Sequence, residues 1–306
     1  MENQQFDEQE WRPSQQYVNT DPREQQGYGP QPGIIDPREK IQPIPRRRRP
    51  WLWIICALVI IALLGSGLQA GLRSIINTSS ETHTYTVSAL PTLVLNDDNG
   101  TVTIHTGGAN SQVTVQATKH FQAFGGSAPA VQSSQDGNTI NATVQNQSNN
   151  FMSFGSNNVD LNVTVPANAN LQIHTETGTI DVSGVSGTMS LSTATGSITA
   201  NQDALSGQST LQSNTGSITF DGSIAPGGNY QFSTDTGSVD VTLPANSSFH
   251  VDATTNTGSI DSDFSGVQVR DHDFSGSDAH GDVGNGAGTT MTLKTNTGSI
   301  DLHEGQ

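Results

Sequence analysis

The sequence predicts an all-β fold, a β-solenoid (β-helix) of stacked repeats of about 20 residues, carried behind a single transmembrane α-helix and a disordered N-terminal tail. Three observations carry this reading. A T-G-[ST]-[IV] step occurs six times, at Gly178, Gly196, Gly216, Gly237, Gly258 and Gly298. Apolar and polar residues alternate on both sides of each step, the period of a half-buried strand. One uncharged apolar run, Trp51 to Leu72, stands near the N-terminus of the 306-residue chain.

Met1 to Pro45 is rich in Gln, Pro, Asn and charge, with few aliphatic residues and no period. Such a stretch buries too little apolar surface to offset its ordering entropy and is expected to be disordered. Its D-P-R-E repeat, Asp21 to Glu24 and Asp36 to Glu39, reads as a solvated duplication, with a docking motif for a cytoplasmic partner as the alternative.

The apolar run is long enough, at about 1.5 Å per helical residue, to cross a hydrocarbon core of roughly 30 Å. Arg46, Arg47, Arg48 and Arg49 precede it and only Arg73 follows closely. The positive-inside rule then puts the tail in the cytoplasm and the C-terminal part outside. A cleaved signal peptide with Leu68-Gln69-Ala70 as its processing site is the competing reading, but the leader is long and the apolar core exceeds the usual length. Cys56 lies within the run, lacks a small residue before it, and does not read as a lipidated cysteine. The expected organisation is a tail over 1–50, a transmembrane helix over 51–72, a linker over 73–83 and an extracytoplasmic repeat domain over 84–306.

That domain is acidic. From Arg73 onward there are 4 basic and 20 acidic residues, and 4 − 20 accounts for the whole net charge of −16. Nothing there could neutralise a run of phosphates, so no nucleic-acid partner is expected. A single Cys excludes a disulfide framework.

Aligned on the glycine of the T-G step, the position three before it is Thr or Ser (Thr175, Thr193, Ser213, Thr234, Thr255, Thr295). The position two after it is Ile or Val (Ile180, Ile198, Ile218, Val239, Ile260, Ile300). Glycine at the step permits the positive φ at which the chain bends. One repeat has too little core to fold by itself, whereas stacking gives each repeat a hydrogen-bond partner and an apolar floor. A solenoid and an antiparallel stack of hairpins both satisfy this pattern, the ~20-residue period fitting the solenoid better. The 40-residue interval from Gly258 to Gly298 spans two periods, so a degenerate copy is expected near Phe274 to Asp278. Upstream, D-N-G-T-V-T-I (Asp98 to Ile104) reads as an early repeat, followed by strands near Val113, Asn138 and Val159. Two apolar inserts, F-Q-A-F-G-G-S from Phe121 and F-M-S-F-G-S from Phe151, are expected to cap the N-terminal end of the stack, with a partner contact as the alternative.

The segment V-T-V-P-A-N-A-N-L-Q-I-H-T-E-T-G-T-I-D-V-S-G-V-S-G-T (Val163 to Thr188), with the serial T-G-S-I steps after it, resembles the bacterial family of β-strand-repeat domains named for adhesins, a domain of unknown function. The resemblance runs from about Leu93 to Leu302. It implies a β-helical fold and a cell-surface or envelope role, often on membrane-anchored chains, and it brings no catalytic residues.

No G-x-S-x-G elbow, phosphate-binding loop or H-E-x-x-H motif is present. The densest acidic stretch holds Asp261, Asp263, Asp271, Asp273, Asp278 and Asp282 with His272 and His280. A glycosidase would set two carboxyls across a groove among aromatic platforms, yet only Phe264 and Phe274 lie nearby. The stretch could also hold calcium, but it matches neither calcium-loop pattern and reads as a solvated, charged loop. The sequence therefore points to no enzyme, to no catalytic, cofactor-binding or metal residue, and to no cofactor. Its expected role is a membrane-anchored surface module for adhesion or envelope structure, with a cell-wall glycan or surface protein as partner. An envelope-stress sensor or scaffold acting through membrane or cytoplasmic proteins is the alternative.

Overall fold

A computed structural model describes residues 76–109, 111–122, 128–145, 157–272, 276–286 and 288–305. The tail, the apolar run over 51–72, Phe124, the insert from Phe151, Asp273 and Phe274 lie outside them. No helix of the described residues is long and apolar enough to cross a membrane. They form an all-β fold of repeated strands.

The chain opens with β1 (Ile76–Thr86), β2 (Thr92–Asn99), β3 (Val102–Thr106), β4 (Gln112–Gln122), β5 (Ala130–Asp136), β6 (Thr139–Gln145) and β7 (Asn158–Val165). The repeats follow as β8 (Asn170–Thr177), β9 (Ile180–Ser183), the short β10 (Ser186–Gly187), β11 (Met189–Thr195), β12 (Ile198–Leu205), β13 (Gln208–Thr215) and β14 (Ile218–Ile224). Then come β15 (Asn229–Thr236), β16 (Val239–Pro244), β17 (Phe249–Thr257), β18 (Ile260–Ser262), β19 (Val267–Asp271), β20 (Ser277–Val283), β21 (Thr290–Thr297) and β22 (Ile300–Gly305). β1 occupies most of the stretch expected to be a linker. Its recurrent threonines suit a strand, and it pairs along its length with β4, where Glu81 meets Lys119 at 3.1 Å.

Each T-G step carries the chain from one sheet to another. The strands before the steps (β2, β8, β11, β13, β15, β17, β21) belong to one eleven-stranded sheet and those after (β3, β9, β12, β14, β16, β18, β22) to a second. Between repeats the pairing is parallel and in register: Leu191 lies against Ile173 and Leu211, and Ile198 against Ile180 and Ile218. The antiparallel alternative fails for a local reason. A hairpin turn returns a strand beside its predecessor, whereas here the positive-φ glycine hands it to the other sheet. Inward side chains of both sheets form one apolar core that includes Phe220 and Phe232, with ring centroids 5.5 Å apart.

Two columns hold the repeats in register. The T-G glycines stand directly above one another with φ near +145°, and a Cβ on Gly216 would come 1.9 Å from the Gly196 carbonyl oxygen. Any side chain there would force the repeats apart. Beside the glycines runs a buried hydroxyl ladder. Ser213 Oγ donates to Gly196 O (2.9 Å), Thr234 to Gly216 O (2.8 Å), Thr295 to Gly237 O (3.0 Å) and Thr255 to Gly298 O (2.9 Å). Except at Thr175, whose buried hydroxyl has no partner, the Thr or Ser three before each glycine thus satisfies a carbonyl of the neighbouring repeat, which a buried backbone oxygen requires.

At both ends the order of repeats in space departs from the order in sequence. β2 and β3 lie between β6/β7 and β8/β9, while β21 and β22 lie between β15/β16 and β17/β18. The expected degenerate copy near Phe274–Asp278 is not a further stacked repeat. β20 runs antiparallel to β17, and β19 antiparallel to β20. Ser277 at the start of β20 still joins the ladder, its Oγ donating to Gly258 O at 3.3 Å. At the N-terminal end β4 and β1 cover β7 in one sheet, and β5 covers β6 in the other. Phe121 belongs to β4, opposite Asn77, rather than to a loop.

Candidate functional site

Outward-facing side chains repeat at the strand spacing of about 4.8 Å, so the parallel register arranges them in columns. On the second sheet one column, three residues after each glycine, reads Thr103, Asp181, Thr199, Thr219, Asp240, Asp301 and Asp261. It passes from hydroxyl-rich to acidic toward the C-terminal repeats, where three aspartates stand on neighbouring strands. On the first sheet Asn256 Nδ2 donates to Asn296 Oδ1 and Asn296 Nδ2 to Asp235 Oδ1, both at 3.0 Å. Amide and hydroxyl groups in such rows are pre-aligned donors and acceptors, each weak and together extended along the stack.

The acidic stretch of the sequence is divided by the topology. Asp261 and Asp263 lie with the second sheet, and Asp263 Oδ2 accepts from His303 Nδ1 at 3.0 Å. Asp271, Asp278 and Asp282 lie with the first sheet on β19 and β20, where Asp278 bonds His272 and Asp282 bonds His250. Among the described residues no three His, Cys, Asp or Glu are grouped to hold a metal ion. The bond to Asp263 pushes His303 up, with Asp240 and Asp301 adding to it, and holds Asp263 down. Asp282, aided by Asp252, likewise raises His250. These imidazoles are tethered by carboxylates rather than grouped around a reacting centre.

A shallow hollow of about 390 Å³ lies along β12, β14 and β16, lined by Gln202, Asp203, Asp221, Thr242 and neighbours. It begins at a bulge in β12 between Asn201 and Asp203, where Gln202 has φ +58°. Asp203 is buried, accepts from Val185 N at 2.6 Å, and its other carboxyl oxygen has no partner. Burial pushes its pKa up to about 6.

The second buried carboxylate, Asp97, escaped the sequence reading. It stands three residues before Gly100, in the ladder position otherwise held by Thr or Ser, and pairs in register with Thr175. Extending the glycine alignment to D-D-N-G, Asp97 to Gly100, is the signal that finds it.

Residues 91–227, somewhat under half of the chain, match the family model Toastrack DUF4097, which bears out the resemblance read from the sequence. Beyond that match, the steps at Gly237, Gly258 and Gly298 repeat the same glycine and hydroxyl pattern. Among solved structures, a protein of Clostridium sporogenes named for cell adhesion is 11% identical with a TM-score of 0.42, covering 74% of this chain and 100% of its own. A protein of Bacteroides fragilis named as an adhesin is 12% identical with a TM-score of 0.31, covering 73% and 97%. One of Parabacteroides distasonis named for lipid binding is 10% identical with a TM-score of 0.29, covering 73% and 96%. No curated protein matches the chain.

Proposed function

We propose that the chain is a membrane-anchored surface protein whose repeat domain is a β-solenoid serving, without catalysis, as an adhesion or envelope-structure module. The observation that carries this reading is the outward columns, hydroxyl-rich toward the N-terminal repeats and acidic toward the C-terminal ones. A regular polar lattice suits a repetitive partner such as a cell-wall glycan, because contacts made at one repeat recur at the next. The apolar run over 51–72, with four arginines before it, would hold the domain outside the membrane.

The test is binding of the full chain, purified in detergent micelles, to isolated cell envelopes before and after protease treatment. Saturable binding that survives the protease supports a glycan ligand. Binding abolished by protease moves the reading to a protein partner, as the sensor or scaffold alternative requires. No saturable binding to either preparation refutes adhesion.

A further inference from the structure

Seven of the eight buried positions in the ladder column carry a hydroxyl: Thr175, Thr193, Ser213, Thr234, Thr295, Thr255 and Ser277. The eighth is Asp97, 2% exposed. Its surroundings repeat those of the others. At Gly258 a Cβ would lie 2.0 Å from Gly298 O and 3.3 Å from Thr255 Oγ1, the pair joined by the ladder bond. At Gly100 a Cβ would lie 1.8 Å from Val159 O and 3.0 Å from Asp97 Oδ2. Asp97 Oδ2 therefore occupies the place of a ladder hydroxyl beside a carbonyl of β7. Its Oδ1 accepts from Asn99 N at 3.3 Å, and Oδ2 is buried without a donor to bond. An ionised carboxylate cannot donate, so it would set two acceptors against each other in a dry site. A protonated one donates as Thr does.

We propose that Asp97 is a protonated rung of the hydroxyl ladder, its Oδ2–H donating to the Val159 carbonyl, and that release of this proton to water unlatches β6/β7 from β2/β3.

The surrounding charges favour retention of the proton. Asp98 on the same strand and Asp160 on β7 are both negative neighbours, and burial adds the largest contribution, raising Asp97 to about 7. Asp160 is itself engaged by Thr101 N at 3.1 Å and by His120 of β4 at 3.1 Å. β8 presents the uncharged Thr175, its His174 and Glu176 being exposed, and β6 carries no charge. The lysine of β4, Lys119, which pairs in register with Val159, is held by Glu81 at 3.1 Å. The folded value lies above the unfolded one, so the closed end binds the extra proton and is favoured at lower pH. That preference fades as pH rises through neutrality.

Hydrogen exchange on the full chain in detergent micelles, at pH 6 and pH 8 and corrected for intrinsic rates, tests this. Protection across Asn158–Val165, including the Leu161 amide that donates to Thr101 O, should fall about tenfold at pH 8. Protection across Gln208–Pro244 should not change. Asp97→Asn keeps an acceptor for Asn99 N and supplies an N–H for Val159 O, and Asp97→Thr restores the common ladder residue. Either variant should keep wild-type protection at pH 6 and lose its pH dependence. The proposal is overturned if wild-type protection across Asn158–Val165 is the same at both pH values. It is equally overturned if the variants retain the wild-type pH response, or if neither folds.

Discussion

Replacing Gly216 by alanine should cost about 4 kcal/mol, far more than a methyl group at an exposed bend. The residue has φ +143° and its added Cβ would sit 1.9 Å from the Gly196 carbonyl oxygen. Backbone is the obstacle on the far side, so no side chain can swing away. Holding a Cβ-bearing residue at positive φ costs roughly 1–2 kcal/mol. Separating the repeats also weakens Gly196 N→Thr215 O (2.8 Å), Ile198 N→Ser217 O (3.0 Å) and Ser213 Oγ→Gly196 O (2.9 Å). Each such bond is worth about 1 kcal/mol net. Gly227 is the control: its φ is +77°, but nothing lies within 4 Å of an added Cβ. There only the conformational cost of about 1 kcal/mol remains. Equilibrium urea unfolding of both full-length variants, followed by far-UV circular dichroism, gives the comparison. If Gly216→Ala lowers stability no more than Gly227→Ala, the close stacking of glycines does not set the register.

Three further outcomes are expected. Tyr230→Phe should cost about 1–2 kcal/mol in the same urea experiment, because the buried hydroxyl donates to Ala225 O at 2.7 Å. Asp203→Asn should flatten the pH dependence of stability between about 4 and 6: burial raises the folded-state value to about 6, so the folded state holds the extra proton and wild-type stability falls as pH climbs through that window. An Asp203→Asn profile parallel to wild type would contradict this. His303 should titrate above the ordinary histidine value by proton NMR, and Asp263→Asn should bring it back down; its small stabilisation is present at acid pH and lost as pH rises through the elevated value.

The sequence makes the repeat legible wherever one residue type has one job. Gly178, Ile180 and Thr193 recur because close approach, core burial and a ladder hydroxyl each admit few side chains. Asp97 escaped because a carboxyl performs the hydroxyl's job only with its proton, and a one-letter code does not record protonation. The placement of β21 and β22 escaped for another reason. Gly298 and its flanking residues have the same pattern as Gly258, so nothing local says which repeat lies nearer β15. That is decided by the antiparallel return of β19 and β20 along β17. The run from Asp261 to Asp282 looked dense because sequence distance is short, yet the turn between β18 and β19 sends its two halves to different sheets.

The interleaved ends bear on how such a chain is completed. A polypeptide emerges from synthesis in sequence order, so β17 and β18 are available before β21 and β22, which stand inside them. The second sheet can therefore close only when the final wedge arrives, joining β16 on one side and β18 on the other. A chain cut short after Val283 would leave two unsatisfied edges facing an empty slot, open to pairing with another molecule. Assembly is then checked at its last step: the same wedge that finishes the stack also seals it against its neighbours.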